Sequence, residues 1–277
     1  MSNSTPNTAL VTGATDGLGK ATAERLANKG WRVLLHGRDA AKGEAVTESL
    51  RRSSGNQQLH YFNADLGSLA QTRALAEALR AAEPRLDVLV NNAGIGPRAP
   101  GAARQLSADG HELFFAVNYL SGYLLTHELL PLLQSSQAAR IINVASIGQQ
   151  ALDFDDLMLN QDYDDMRAYR QSKLAQILFT FDLAGQLQGS GVTVNALHPA
   201  TLMNTAMVLN SRYFPGPMAA LEQGVDALEH LLSAPELAKV SGMYYDGMRP
   251  ERANEQAYDP EARLRLRQAS AVLTRAQ

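Results

Sequence analysis

Short apolar runs alternate with longer segments of helical period along most of the chain, and this alternation constrains the fold more than any other feature. The runs fall at 9–12, 32–36, 59–63, 88–91, 140–144, 192–197 and 243–245. Helical patterns cover 17–29, 40–52, 69–82, 108–133, 166–187 and 218–232. A helix between consecutive strands carries the chain back across the sheet, so neighbouring strands pair in parallel through right-handed crossovers and helices cover both faces. The expected fold class is α/β: a doubly wound parallel sheet of about seven strands with helices on both faces. No repeat, low-complexity stretch or linker divides the sequence, so one domain is expected over 1–277, with 1–7 a flexible start and 249–277 a C-terminal extension. In that extension Asp259 and Pro260 read as the cap and first position of a terminal helix.

Composition narrows the function classes. Lys and Arg total 25 against 28 Asp and Glu, a net charge of −3, so no basic field exists to attract nucleic acid. Cysteine is absent, which removes disulfides and thiolate nucleophiles. The six histidines show no HExxH or similar ligand spacing, so no metal site is expected. The start MSNSTPNT lacks the basic and apolar stretches of a secretory signal. The most apolar segment, 119–133, is interrupted by His127 and Glu128, so membrane insertion is not expected and a cytoplasmic location is.

The loop TGATDGLG, Thr12 to Gly19, follows the first strand and opens the first helix. Glycines at 13, 17 and 19 let the backbone turn tightly and approach a pyrophosphate at the positive end of the helix. Taken alone, three glycines also suit an ordinary strand-to-helix connection. Further along, NNAG at 91–94 ends the fourth strand, Asn118 lies in the long helix after it, Ser146 ends the fifth strand in NVAS, and Tyr169 and Lys173 form YxxxK. Each has a bland reading as a turn, a cap or a solvated helix face; five in order at strand ends and on adjoining helices do not.

This constellation resembles the short-chain dehydrogenase/reductase family over residues 8 to about 201. The resemblance implies a Rossmann fold, a nicotinamide cofactor and a catalytic set of Asn118, Ser146, Tyr169 and Lys173. It also implies cofactor contacts from Gly13, Thr15, Asp16, Gly17, Leu18, Gly19, Arg38, Asp65, Leu66, Asn92, Ala93, Gly94, Tyr169, Lys173 and Pro199, with Thr201 or Thr205 supplying a hydroxyl. Ser146 would hold the substrate oxygen, Lys173 the nicotinamide ribose, and Asn118 a proton-supplying water chain. The usual PG after the sixth strand reads Pro199-Ala200 here, which leaves the hydroxyl ambiguous between Thr201 and Thr205.

The chemistry needs these residue types. Carbonyl reduction takes a hydride from the cofactor and a proton for the developing alkoxide, and oxidation reverses both. Tyrosine's pKa near 10 makes it a poor base, and an ammonium one helical turn away, Lys173, is expected to lower it. After the second strand Gly37 takes the place where NAD-binding sheets carry an acid, and Arg38 follows, favouring NADP over NAD. Asp16 and Asp39 oppose that choice, and Arg38 also reads as a flanking surface charge.

For the substrate, the segment from Thr201 to Met218 carries Met203, Met207, Val208, Leu209, Tyr213 and Phe214, a composition suited to an apolar lid over a ketone, aldehyde or alcohol. The acidic insertion LDFDDLMLNQDYDD, 152–165, is similar to a segment in retinol-dehydrogenase-like members and reads either as a pocket rim or as a solvated loop. Helices 108–133 and 166–187 are more apolar than one sheet contact requires, which points to a homo-dimer or homo-tetramer. Two other functions remain compatible: a nucleotide-binding redox sensor without turnover, and reduction of an activated C=C bond on the same scaffold.

Overall fold

The computed structural model describes residues 6–275. The flexible start expected over 1–7 therefore lies mostly outside the described residues. Strands β1 (Thr8–Val11), β2 (Arg32–Gly37), β3 (Leu59–Asn63), β4 (Val88–Asn91), β5 (Arg140–Val144), β6 (Thr193–His198), β7 (Tyr244–Asp246) and β8 (Arg249–Pro250) form one sheet in the order β3-β2-β1-β4-β5-β6-β7-β8. All neighbours pair in parallel except β7 and β8. β8 goes beyond the expected seven strands: a turn at Gly247, with φ of 57°, folds two residues back on β7.

The strands read as continuous apolar runs because they are buried on both faces. Leu10, Leu34, Leu89, Ile141 and Val194 feed one core, while Ala9, Val11, Val33, Leu35, Val90 and Ile142 feed the other. Helices α1 (Gly17–Asn28), α2 (Ala40–Ser54) and α7 (Leu221–Ser233) belong to the second core; α3 (Leu69–Ala82), α4 (Ser121–Gln134), α5 (Asp165–Gln186) and α8 (Pro260–Leu273) belong to the first. A short α6 spans Ala206–Leu209. Because β1 pairs with β2 on one side and β4 on the other, the crossovers diverge there and leave a crevice at the strands' C-terminal ends.

Two helix starts differ from expectation. The pattern at 108–133 becomes helical only at Leu113, since Gly110 adopts φ of 79° and the Glu112 carboxylate accepts the Phe114 and Phe115 N–H groups at 3.0 and 2.7 Å as a cap. Its first part, Phe115–Leu120, is a π-helix that runs into α4. The helix expected at 218–232 starts at Leu221, because the Met218 N–H reaches back to the Leu202 carbonyl at 2.8 Å.

The C-terminal extension is helical as expected, with the Asp259 carboxylate accepting from Glu261 N at 2.9 Å and Pro260 in the first turn. α8 lies on α5, the Tyr119 and Ser270 hydroxyls meet at 2.6 Å, and Tyr258 packs on Phe181 at 5.4 Å between ring centroids. The chain's own C-terminus thus packs on part of the apolar surface of these two helices. Among the described residues no helix is long and apolar enough to cross a membrane.

Candidate active site

A cleft of about 960 Å³ opens at the C-terminal ends of the central strands. The glycine loop forms one wall. Gly13 and Gly17 have φ of 67° and 48°, and a Cβ on Gly19 would stand 2.3 Å from the Gly13 carbonyl oxygen. Only glycine fits that approach. The NNAG segment packs directly on this loop: Asn92 Nδ2 donates to the Thr12 carbonyl at 2.8 Å, and the Thr12 hydroxyl accepts from the N–H groups of Asn92 and Ala93 at 2.9 and 3.0 Å. Asn91 instead points into the sheet, donating to Thr126 Oγ1 and Asn143 Oδ1.

At the β2 end, Thr15, Gly37, Arg38 and Lys42 line the same cleft. A Cβ on Gly37 would lie 2.6 Å from Thr15 Cγ2, so the position has no room for an acidic side chain. The two acids that opposed NADP are otherwise engaged. Asp16 caps α1 and pairs with Lys42 Nζ at 2.8 Å, which holds its carboxyl below the usual range. Asp39 caps α2 by accepting from Lys42 N at 2.9 Å. His36, which the sequence did not single out, accepts from Gly13 N through Nδ1 at 3.3 Å, leaving Nε2–H to donate to the Ala64 carbonyl at 3.1 Å. Burial pushes its pKa down to about 4, so it is neutral there. Leu18, Asp65, Leu66, Pro199, Thr201 and Thr205 also line the cleft, Asp65 with its carboxylate accepting from Gly67 N. Thr201 Oγ1 meets His198 Nε2 at 3.1 Å, and Thr205 Oγ1 donates to the Met203 carbonyl at 3.3 Å.

At the middle of the cleft, Ser146 follows β5, and Tyr169 and Lys173 stand one turn apart on α5. Ser146 and Tyr169 flank the same point of the cleft, a Cβ on Gly148 standing 3.4 Å from Ser146 Oγ and 3.9 Å from Tyr169 Cε1, and Ser146 Oγ accepts from Gly148 N at 3.0 Å. Phe114 meets the Tyr169 ring edge-on at 6.4 Å. Lys173 is buried, donates to the Val144 carbonyl at 2.9 Å and Gln176 Oε1 at 3.1 Å, and lies 5.8 Å from the Tyr169 ring centroid.

The electrostatics differ from the expected pairing. Burial raises the Tyr169 pKa, and the group that opposes the rise is the Ser146 hydroxyl rather than Lys173. Burial also lowers Lys173 to about 7, within range of proton exchange near neutrality.

Asn118 is buried behind Gly94 rather than on the cleft wall. Its Oδ1 accepts from Ile95 N at 2.8 Å, and its Nδ2 donates to the Ile95 carbonyl and Ser172 Oγ. A Cβ on Gly94 would stand 3.1 Å from Asn118 Oδ1 and 3.6 Å from Lys173 Nζ, so this glycine keeps the cleft floor open.

The outer cleft is apolar. Leu113, Phe114, Met166, Met207, Val208 and Phe214 line it, whereas Leu209 and Met218 of the expected lid are exposed away from it. Tyr213 ties that segment to the start of α5, its hydroxyl donating to Asp164 at 3.1 Å. No residue of the acidic insertion 152–165 lines the cleft; Phe154 packs against the core, and the Arg265 guanidinium stacks over its ring at 4.7 Å.

Residues 7–214 match the family described as short chain dehydrogenase. The chain belongs to that family. Within this dehydrogenase family, retinol dehydrogenase 13 of Homo sapiens is 40% identical over 281 residues, covering 96% of this chain and 84% of the relative. The chain stands in the retinol-dehydrogenase-like branch. Among solved short-chain dehydrogenase folds, a 3-ketoacyl-(acyl-carrier-protein) reductase from Brucella melitensis complexed with NADH superposes with a TM-score of 0.70 at 26% identity, covering 87% of this chain and 96% of that one. The Pseudomonas aeruginosa RhlG/NADP active-site complex superposes with a TM-score of 0.69 at 28% identity, covering 87% and 94%.

Proposed function

We propose that this protein interconverts an apolar aldehyde or ketone and the corresponding alcohol with NADP(H). The observation that carries this reading is the grouping of two hydroxyl side chains, Ser146 and Tyr169, with the buried amine of Lys173 in one cleft that is apolar toward its outer end. The glycine cradle at Gly13, Gly19 and Gly94, where a Cβ would collide or crowd, fits the close backbone approach of a dinucleotide. Arg38, Lys42 and Thr15 beside a Gly37 too confined for an acid favour a 2′-phosphate over a 2′-hydroxyl. The bound cofactor supplies or accepts the hydride.

The protein's own residues handle the oxygen and the proton. In reduction Ser146 donates a hydrogen bond to the carbonyl oxygen, and Tyr169 Oη gives its proton to that oxygen as the C–O bond becomes single. The phenolate left behind regains a proton by way of Lys173, whose amine exchanges near neutral pH. In oxidation the phenolate takes the hydroxyl proton. Phe114, Met207, Val208 and Phe214 accept an apolar skeleton and exclude water. Retinol, the alcohol after which the human relative is named, has that character.

Titration of the purified protein with NADPH and NADH, followed by a spectrophotometric screen of apolar ketones, aldehydes and enones, tests the reading. Tight NADPH binding with carbonyl-dependent oxidation is expected. Binding without turnover on any carbonyl, or a saturated ketone as product from an enone, would overturn it.

A further inference from the structure

The chain leaves the sheet just before Ser146. The last ladder bond beside it runs from Ala145 N to the Leu197 carbonyl, and from there the main chain turns into the loop 146–152. The Ser146 carbonyl nevertheless accepts two side-chain donors: the Tyr244 hydroxyl of β7 at 3.2 Å and Gln149 Nε2 at 3.0 Å. Tyr244 is 2% exposed, so its hydroxyl sits in a setting where an unmade hydrogen bond is costly and a made one is well localised.

Gln149 also faces the other way. Its Oε1 accepts from Asn254 N at 2.8 Å, in the extension that follows β8. Two residues further, Gln256 brackets the same loop, with Oε1 accepting from Leu152 N at 2.7 Å and Nε2 donating to the Leu152 carbonyl at 3.1 Å. The loop that carries Ser146 is therefore gripped from the sheet by Tyr244 and from the C-terminal extension by Asn254, through Gln149, and by Gln256. The Ser146 hydroxyl, which shares the cleft with Tyr169, projects from the stretch of main chain that these bonds hold.

We infer that Tyr244 and Gln149 are positioning residues for the reaction: by fixing the Ser146 carbonyl from β7 and from the C-terminal extension, they aim its hydroxyl at Tyr169 and at the substrate oxygen. This rests on the function proposed above. It gives the extension a role in turnover as well as in packing.

The test uses Tyr244→Phe, which removes one oxygen and keeps the ring, and Gln149→Glu, which removes the donor to Ser146 and keeps an acceptor for Asn254 N. In each, kcat for the carbonyl is expected to fall about 5- to 20-fold, with NADPH affinity and thermal midpoint close to wild type. In a Ser146→Ala background, Tyr244→Phe is expected to change kcat by less than about twofold, because the group it aims is gone. A purely structural role would give the same factor in both backgrounds and overturns the inference. A readout independent of turnover is the Tyr169 resonance in protein labelled with 13Cζ-tyrosine. Tyr244→Phe should move it in the same direction as Ser146→Ala, and an unmoved resonance overturns the inference whether or not the wild type turns over. Absence of wild-type turnover with the resonance moved as expected would instead count against the proposed function alone.

Discussion

The Asp16 carboxylate accepts a hydrogen bond from Lys42 Nζ at 2.8 Å, joining the glycine loop to the first turn of α2 at the end of the cleft where Thr15 and Arg38 also stand. Asp16 by itself would repel a phosphate, whereas the pair brings a cation beside it. Lys42→Ala should weaken NADPH binding about tenfold, the loss of one charge-assisted contact of about 1.5 kcal/mol, and leave NADH within about twofold. Because both side chains are partly exposed, added salt should shrink the difference. Fluorescence titration at two ionic strengths measures it. Equal losses for both cofactors would remove Lys42 from phosphate recognition.

The confined Gly37 gives a second test of the same end of the cleft. Substituting an acid after β2 is an obvious way to recruit NADH, yet here the new side chain would run into Thr15, 2.6 Å from the site of its Cβ. Gly37→Asp is expected to weaken both cofactors, and only the double variant with Thr15→Gly should recover NADH binding. A single Gly37→Asp variant that binds NADH more tightly than wild type would contradict the packing argument.

Tyr169→Phe deletes the hydroxyl that moves the proton and little binding surface. Turnover should fall by a factor on the order of 100 or more, with NADPH affinity within about threefold of wild type. Stopped-flow and equilibrium titration separate the two. Near wild-type turnover would reassign the proton to another group.

The sequence made the fold and the cleft's central residues legible because each was written locally. Glycines 13, 17 and 19 must lie in one turn, and Tyr169 and Lys173 must share a helix face, so chemistry imposes a spacing that can be read along the chain. What it missed was assembled by tertiary contact. Lys42 looked like any surface lysine of α2 until the fold brought it to Asp16, 26 positions earlier. Tyr244 and Gln149 meet the Ser146 carbonyl from 98 and 3 residues away, with no periodicity to mark them. The electrostatic expectation failed for a related reason: burial raises Tyr169 and lowers Lys173, and burial is a property of the packed fold.

His36 provides a prediction in which pH reports on the packing beneath the cleft. Its ring bridges Gly13 N and the Ala64 carbonyl, is 2% exposed, and has its pKa lowered from 6.5 to about 4 because burial penalises the imidazolium. The unfolded chain therefore binds a proton at His36 between those two values while the folded chain does not, so stability is lost as pH falls from about 6.5 toward 4. By pH 5 this one ring should cost about 2 kcal/mol relative to pH 7.5, from the separation of the two pKa values. Carboxylates titrate in the same interval, so the relevant quantity is a difference between proteins. His36→Gln keeps a donor and an acceptor but cannot titrate. Urea unfolding at both pH values should show wild type losing about 2 kcal/mol more than the variant on acidification. Equal losses would mean that His36 becomes protonated in the folded protein without opposition, and that the bond from Gly13 N does not hold its Nδ1 as an acceptor.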